Sequence, residues 1–209
     1  MKAPYEDQLQ PYAVLLLRTG VNLQPGPSLV IRAELAHAEF TRLLVAEAYA
    51  QGAAYVHVDW ADTPAQRAML LNTDIEQWNL PAYEIARYQQ MVDERWARLA
   101  LVGPEFPFAF DDVPRERTRT VAVKRSRAIK FYTEAVMANQ QQWCVAAVAT
   151  PAWAQRVYPD LGGDAAVSAM KLPSVRRRSC RRRSAMPAAV RNAFQCFFGS
   201  SMWPDLLAA

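Results

Sequence analysis

Apolar positions follow two rhythms along the first 170 residues. Leu9, Tyr12, Ala13, Leu16 and Leu17 recur at helical spacing and predict a helix over 7–18, stopped at Gly20. Pro25-Gly26-Pro27 is a turn, and the run Leu29, Val30, Ile31 after it reads as a strand. Phe40, Leu43, Leu44 and Ala48 share one face of a helix from His37 to Gln51, with Gly52 as its stop. A second strand holds Tyr55, Val56 and Val58. Residues 64–97 read as helical with a break near Asn79-Leu80-Pro81, and "RLALVGP" is a third strand. "FPFAFDDVP" is a loop, and Pro114 opens a long basic helix to about residue 138. "WCVAAVATP" is a fourth strand, Thr150-Pro151 opens a short helix, and "YPDLGGDAAVSAM" is a turn into another.

The order is one helix followed by strands alternating with helical stretches. That alternation predicts an α/β fold of three layers, with a mainly parallel sheet between helices. The strands are short continuous apolar runs, as when both faces are covered. No internal repeat is visible. The apolar composition of 52% allows a sizeable core.

The rhythm stops at about residue 170. "KLPSVRRRSCRRRSAMPAAVR" places six arginines within residues 176–183. Residues 171–209 carry eight basic groups against Asp205 alone, a net +7, whereas residues 1–170 carry −3. The formal charge of +4 therefore describes the tail and not the body. Two units are expected: an α/β domain over 1–170 and an irregular basic tail over 171–209.

Candidate chemistry is sparse. None of the seven glycines falls in a GxGxxG or GxxxxGK[ST] pattern, so no phosphate cradle is expected. His37 and His57 are the only histidines. His57 alternates with Val56 and Val58 and reads as a packed or edge histidine. His37 sits near a helix start, an ordinary place for a polar residue. Neither has the spacing of a metal motif, and no GxSxG elbow supports a nucleophilic serine. Asp59 and Asp62 lie at the carboxyl end of the second strand, where open sheets bind ligands; the simpler reading is that Asp62 or Thr63 caps the next helix. The helix over 114–130 carries Arg115, Arg117, Arg119, Lys124, Arg125, Arg127 and Lys130. It reads as a solvated face, with a phosphate-facing surface as the alternative. Cys144, Cys180 and Cys196 are odd in number and lack CxxC spacing, so neither a disulfide framework nor a zinc knuckle is indicated, and a reducing cytoplasm fits. The amino terminus, "MKAPYEDQLQPY", lacks the apolar core of a secretory signal.

Three segments carry a resemblance. "LLRTGVNLQPGPSLVIRA", "FTRLLVAEAYAQGAAYVHVDWAD" and "VMANQQQWCVAAVATPAWAQRVYPD" resemble the thermophilic metallo-aminopeptidases of the aminopeptidase T and aminopeptidase S type. The resemblance covers about residues 8–170 and falls on the amino-terminal domain of that family. It implies a cytoplasmic homodimer that removes amino-terminal residues from peptides, using a pair of divalent ions (zinc, cobalt or magnesium). Such a pair activates a water and polarises the scissile carbonyl. The family's ligands lie in its carboxyl-terminal domain, so no catalytic, cofactor-binding or metal-binding residue is assigned here, and none of these metals is expected to bind this chain. The resemblance also implies that the helix starting "GGDAAVSAM" should continue as an amphipathic segment. Here it breaks at Lys171-Leu172-Pro173, and Arg, Ser, Ala, Pro and Cys predominate up to Cys196, as in a GC-rich gene translated out of frame. A truncated, inactive family member is therefore the first expectation. The rival is an α/β binding protein whose arginine tail contacts nucleic acid nonspecifically, an interaction that weakens steeply with salt.

Overall fold

The computed structural model describes residues 6–169. Expectations about 171–209, including Cys180 and Cys196, lie outside the described residues.

Four parallel strands form one sheet: β1 (Leu29–Glu34), β2 (Val56–Ala61), β3 (Ala97–Val102) and β4 (Trp143–Ala147). Their spatial order is β2-β1-β3-β4. Register pairs Leu29 with Val56 on one side and with Ala97 on the other, and Arg98 with Trp143. The sheet is parallel throughout, and its layers are helix, sheet, helix, as the alternation predicts.

The pleat sorts side chains between two cores. Leu29, Ile31 and Ala33 point to one face, where α1 (Glu6–Leu15), the following π-turn (Leu16–Gly20) and α2 (Ala38–Ala50) bury Leu17, Phe40 and Leu44 against them. Val30 points to the other face, against Tyr88 and Met91 of α4 (Ala82–Asp93) and Tyr132 and Val136 of α6 (Lys130–Met137). A satellite core joins α3 (Thr63–Asn72) to α5 (Arg115–Ala128) through Leu70, Val113 and Val121. α7 (Pro151–Val157) and α8 (Gly163–Ala169) meet through Ala154, Ala166 and Val167.

Two helical expectations are corrected in detail. The stretch 64–97 contains α3 and α4 separated by residues 73–81, a longer gap than the Asn79–Pro81 break suggests. The helix after Pro114 divides at Ile129 into α5 and α6, because Ile129 leaves helical geometry with φ −115° and ψ 26°. The bend lets α6 lie on the sheet while α5 stays against α3.

The basic helix α5 has a structural role that neither reading of its charges anticipates. Arg117 donates from its guanidinium to the carbonyls of Leu70 and Thr73, at the carboxyl end of α3. Lys124 donates to the carbonyls of Ile75 (3.0 Å) and Glu76, and Arg125 to the Tyr88 hydroxyl (2.7 Å). The last carbonyls of a helix have no partner within it and carry its negative dipole end, so cations satisfy both needs. Arg117, Lys124 and Arg125 are half-buried, whereas Arg115, Arg119 and Arg127 remain exposed.

Candidate functional site

In a doubly wound sheet, ligands collect at the carboxyl edge where the crossovers change direction. Here β1 leads through α2 to β2 on one side, and β2 returns past β1 to β3 on the other. The crevice therefore falls between the ends of β1 and β3.

His37 fills it. The ring is 2% exposed, and Nε2 lies 3.0 Å from the Gly103 carbonyl oxygen, just past β3. A carbonyl only accepts, so Nε2 carries the proton and Nδ1 holds a lone pair. Nδ1 has no hydrogen-bond partner, and neither does the buried Thr41 hydroxyl. Burial lowers the His37 pKa, against the opposing effects of the Gly103 bond and Glu105. A polar residue of ordinary helix-start character is thus a packed plug. The surroundings are equally tight. Glu105 N–H donates to the Glu34 carboxylate (3.1 Å), and the Thr150 hydroxyl donates to the Pro104 carbonyl (2.7 Å). These bonds close the junction between β1 and β3 around the His37 ring.

The other candidates separate. Asp62 is the amino-terminal cap of α3, its carboxylate accepting from Ala65 N–H at 3.1 Å, and Thr63 is the first helical residue. His57 and Asp59 lie on the edge strand β2 and are joined by a residue that sequence reasoning missed, Arg87 of α4. Its guanidinium donates to His57 Nε2 (2.7 Å), to Asp59 (3.3 Å) and to the Glu84 carboxylate (2.6 Å). No sequence signal marks Arg87, because the pairing crosses from helix to strand over 28 residues. Cys144 is buried, and burial pushes its thiol up to about 11, so no thiolate is available at neutral pH.

The His57 arrangement predicts a pH effect. Burial, then Arg87, lowers its pKa below the ordinary 6.5, against Asp59 and Glu84. The folded chain favours the neutral ring, so the unfolded chain takes up the proton first as pH falls. The stabilising contribution is present above pH 6.5 and is lost as the pH drops through the lowered folded value. The urea midpoint should therefore fall between about pH 7 and about pH 5. His57→Gln should flatten part of that fall, and His37 accounts for the rest. A pH slope unchanged in His57→Gln would refute the assignment.

Comparisons with known proteins decide the family. The family described as thermophilic metalloprotease (M29) matches residues 5–181. The chain belongs to the M29 family. It is 34% identical to aminopeptidase PepS of Streptococcus thermophilus over 161 residues, which is 77% of this chain and 39% of that protein. It is 30% identical to aminopeptidase T of Thermus thermophilus over 164 residues, 78% of this chain and 40% of that protein. The solved structure of wild-type AmpT from Thermus thermophilus superposes with a TM-score of 0.72 at 29% identity, covering 79% of this chain and 42% of that one. The chain spans about two fifths of the length of the M29 relatives it matches.

An M29 metalloprotease uses a metal, and the residues described here do not fit one. His57 Nε2 faces the Arg87 guanidinium, which repels a cation. His37 has one nitrogen bonded to Gly103 and the other sealed in the core. Among the described residues no group of three or more His, Cys, Asp or Glu is placed to hold a metal ion. None of the described helices is long and apolar enough to cross a membrane.

Proposed function

We propose that this chain is the amino-terminal α/β portion of a metal-dependent aminopeptidase, an enzyme that removes amino-terminal residues from peptides as a cytoplasmic homodimer with a pair of divalent ions. In this reading residues 1–170 form a scaffold, and the chain alone is inactive. The family match over residues 5–181 carries the assignment to M29 aminopeptidases. The scaffold role is supported by the chemistry of the sheet's carboxyl edge, where the available side chains plug, cap and pair with one another. No catalytic step is assigned to them.

In this reading residues 171–209 are an out-of-frame continuation, although the family match runs into them as far as residue 181. The observation behind this is compositional: a helical pattern breaks at Lys171-Leu172-Pro173 and gives way to an arginine-rich stretch. The nucleotide sequence after the codon for Met170 tests it. One of the two other frames should restore an amphipathic helix after "GGDAAVSA", and then a domain with several glutamates, histidines and an aspartate. Convergent anionic and imidazole ligands are what a metal pair requires. If neither frame encodes such a segment, the frameshift reading fails and the arginine tail must be treated as part of a different protein.

A further inference from the structure

The sheet face that turns Val30 toward α4 and α6 also carries charge. Strands of a covered parallel sheet are ordinarily apolar on both faces. Here Arg32 follows Val30 by two residues and shares its face. Arg98 of β3 falls between Ala97 and Leu99, which point into the other core, so it shares that face too. Register pairs Arg98 with Val30 and Arg32 with Asp59, which makes the two arginines diagonal neighbours on adjacent strands. A charge on a covered face costs free energy unless it is partnered. Arg67, Arg87, Arg117 and Arg125 are half-buried, and each donates to an acceptor. Arg32 and Arg98 are half-buried as well, and neither has a hydrogen-bond or ion-pair partner among the described residues.

Both arginines converge on Tyr132 of α6. Burial raises the pKa of its hydroxyl, and Arg98, and to a lesser extent Arg32, pull it back. Tyr132 is 7% exposed, and its hydroxyl bonds to no described residue. Its ring packs against Tyr88 with centroids 4.8 Å apart. The Arg87 and Arg125 guanidinia stand 5.4 and 5.8 Å from the centre of the Tyr88 ring. The carboxylates of this face are already engaged: Asp59 and Glu84 accept from Arg87, and Glu34 accepts from the Glu105 N–H. The point where Arg32, Arg98 and Tyr132 meet is thus rich in donors and positively charged.

We propose that Arg32, Arg98 and the Tyr132 hydroxyl form a binding site for a phosphate group, free or carried on a small molecule. A guanidinium fork engages two acceptor oxygens at once. A carboxylate has two oxygens and satisfies one fork. A phosphate presents at least three strong acceptor oxygens, which serve both forks and the phenol O–H together. Its charge also matches two cations. Arg87 and Arg125 add positive potential from the Tyr88 side while their own donors stay engaged. Half-burial leaves the two arginines within reach of solvent yet raises the strength of each charged contact. The site shares no residue with the His37 plug or the Asp62 cap, and it does not depend on the aminopeptidase reading.

A titration of the 209-residue chain with inorganic phosphate, followed by nuclear magnetic resonance at constant ionic strength, tests the proposal. Phosphate should move the side-chain Nε–H signals of Arg32 and Arg98 and the amides around them along one saturable curve. Arg32→Met and Arg98→Met should each weaken binding by about tenfold or more, the factor expected for a lost charged donor. Arg119→Met, exposed on α5, should leave it unchanged. If the methionine variants do not fold, Arg32→Lys and Arg98→Lys decide. Lysine keeps the charge but loses the fork, so each should weaken binding several-fold. Acetate at the same ionic strength should bind about tenfold more weakly than phosphate, or worse. Glycerol phosphate separates the two sources: binding as tight as that of inorganic phosphate identifies a carried group, its exclusion identifies the free ion, and either result keeps the site. Signals that move only within residues 171–209, an affinity that the Arg32 and Arg98 substitutions leave unchanged, or acetate that binds as tightly as phosphate would overturn it.

Discussion

Gly103→Ala should destabilise the chain by about 3 kcal/mol or more, the largest effect expected of any single methyl group here. A Cβ built on Gly103 would stand 1.9 Å from the Val148 carbonyl oxygen and 3.0 Å from its carbon. These are backbone atoms, and Val148 cannot retreat freely because its N–H donates to the Val102 carbonyl at 2.8 Å. The His37 ring lies 3.2 Å from the same point, so the plug would be displaced too. The residue also has φ +157°, which adds strain for any side chain. For a chain of this size the loss corresponds to a fall in melting temperature of roughly 6–12 °C. Gly26→Ala is the control. It shares a positive φ, +105°, but has no atom within 4 Å, so it should lose only about 1 kcal/mol. Equal losses from the two substitutions would mean that the β3–β4 junction is looser than described.

Arg117→Met should destabilise by about 1.5–3 kcal/mol, the range for a charged donor removed from its acceptors. Methionine keeps most of the aliphatic stem, so the loss reports the two bonds to the Leu70 and Thr73 carbonyls rather than packing. With those carbonyls unsatisfied, α3 should fray at its carboxyl end and loosen the Leu70–Val121 contact. Arg119→Met, on the same helix but exposed, should change stability by less than about 0.5 kcal/mol. Urea midpoints measured side by side separate the two. Equal effects would return α5 to the role of a solvated basic face.

These two residues mark the boundary of what could be read before the structure. The sheet was legible because its strands are local: Leu29-Val30-Ile31 and Val56-His57-Val58 declare themselves within a few residues. The Thr150-Pro151 start was legible for the same reason, and the cap of α3 was legible only as Asp62 or Thr63, of which Asp62 holds it. Tertiary choices were not. Ile129 is a good helical residue by pattern, and only the need to lay α6 on the sheet makes it a bend. Arg117 looks solvated in sequence, because its acceptors are main-chain carbonyls more than 40 residues away. His37 looked incidental since its partner is a carbonyl 66 residues on, at a glycine chosen for its missing side chain. His57 and Asp59 appeared as separate candidates until Arg87 joined them. The edge chemistry was thus misjudged wherever backbone atoms or a single distant side chain complete a contact.

The central claim is that M29 identity here resides in a scaffold that does not itself hold the metal pair. The purified 209-residue chain, assayed with aminoacyl reporter substrates and added zinc or cobalt, tests this most directly. No metal-dependent release of the reporter above the buffer rate is predicted, because two separated histidines, one plugged and one facing a guanidinium, provide no coordination sphere. Release that requires the metal, elutes with the chain and persists after contaminants are excluded would contradict the account.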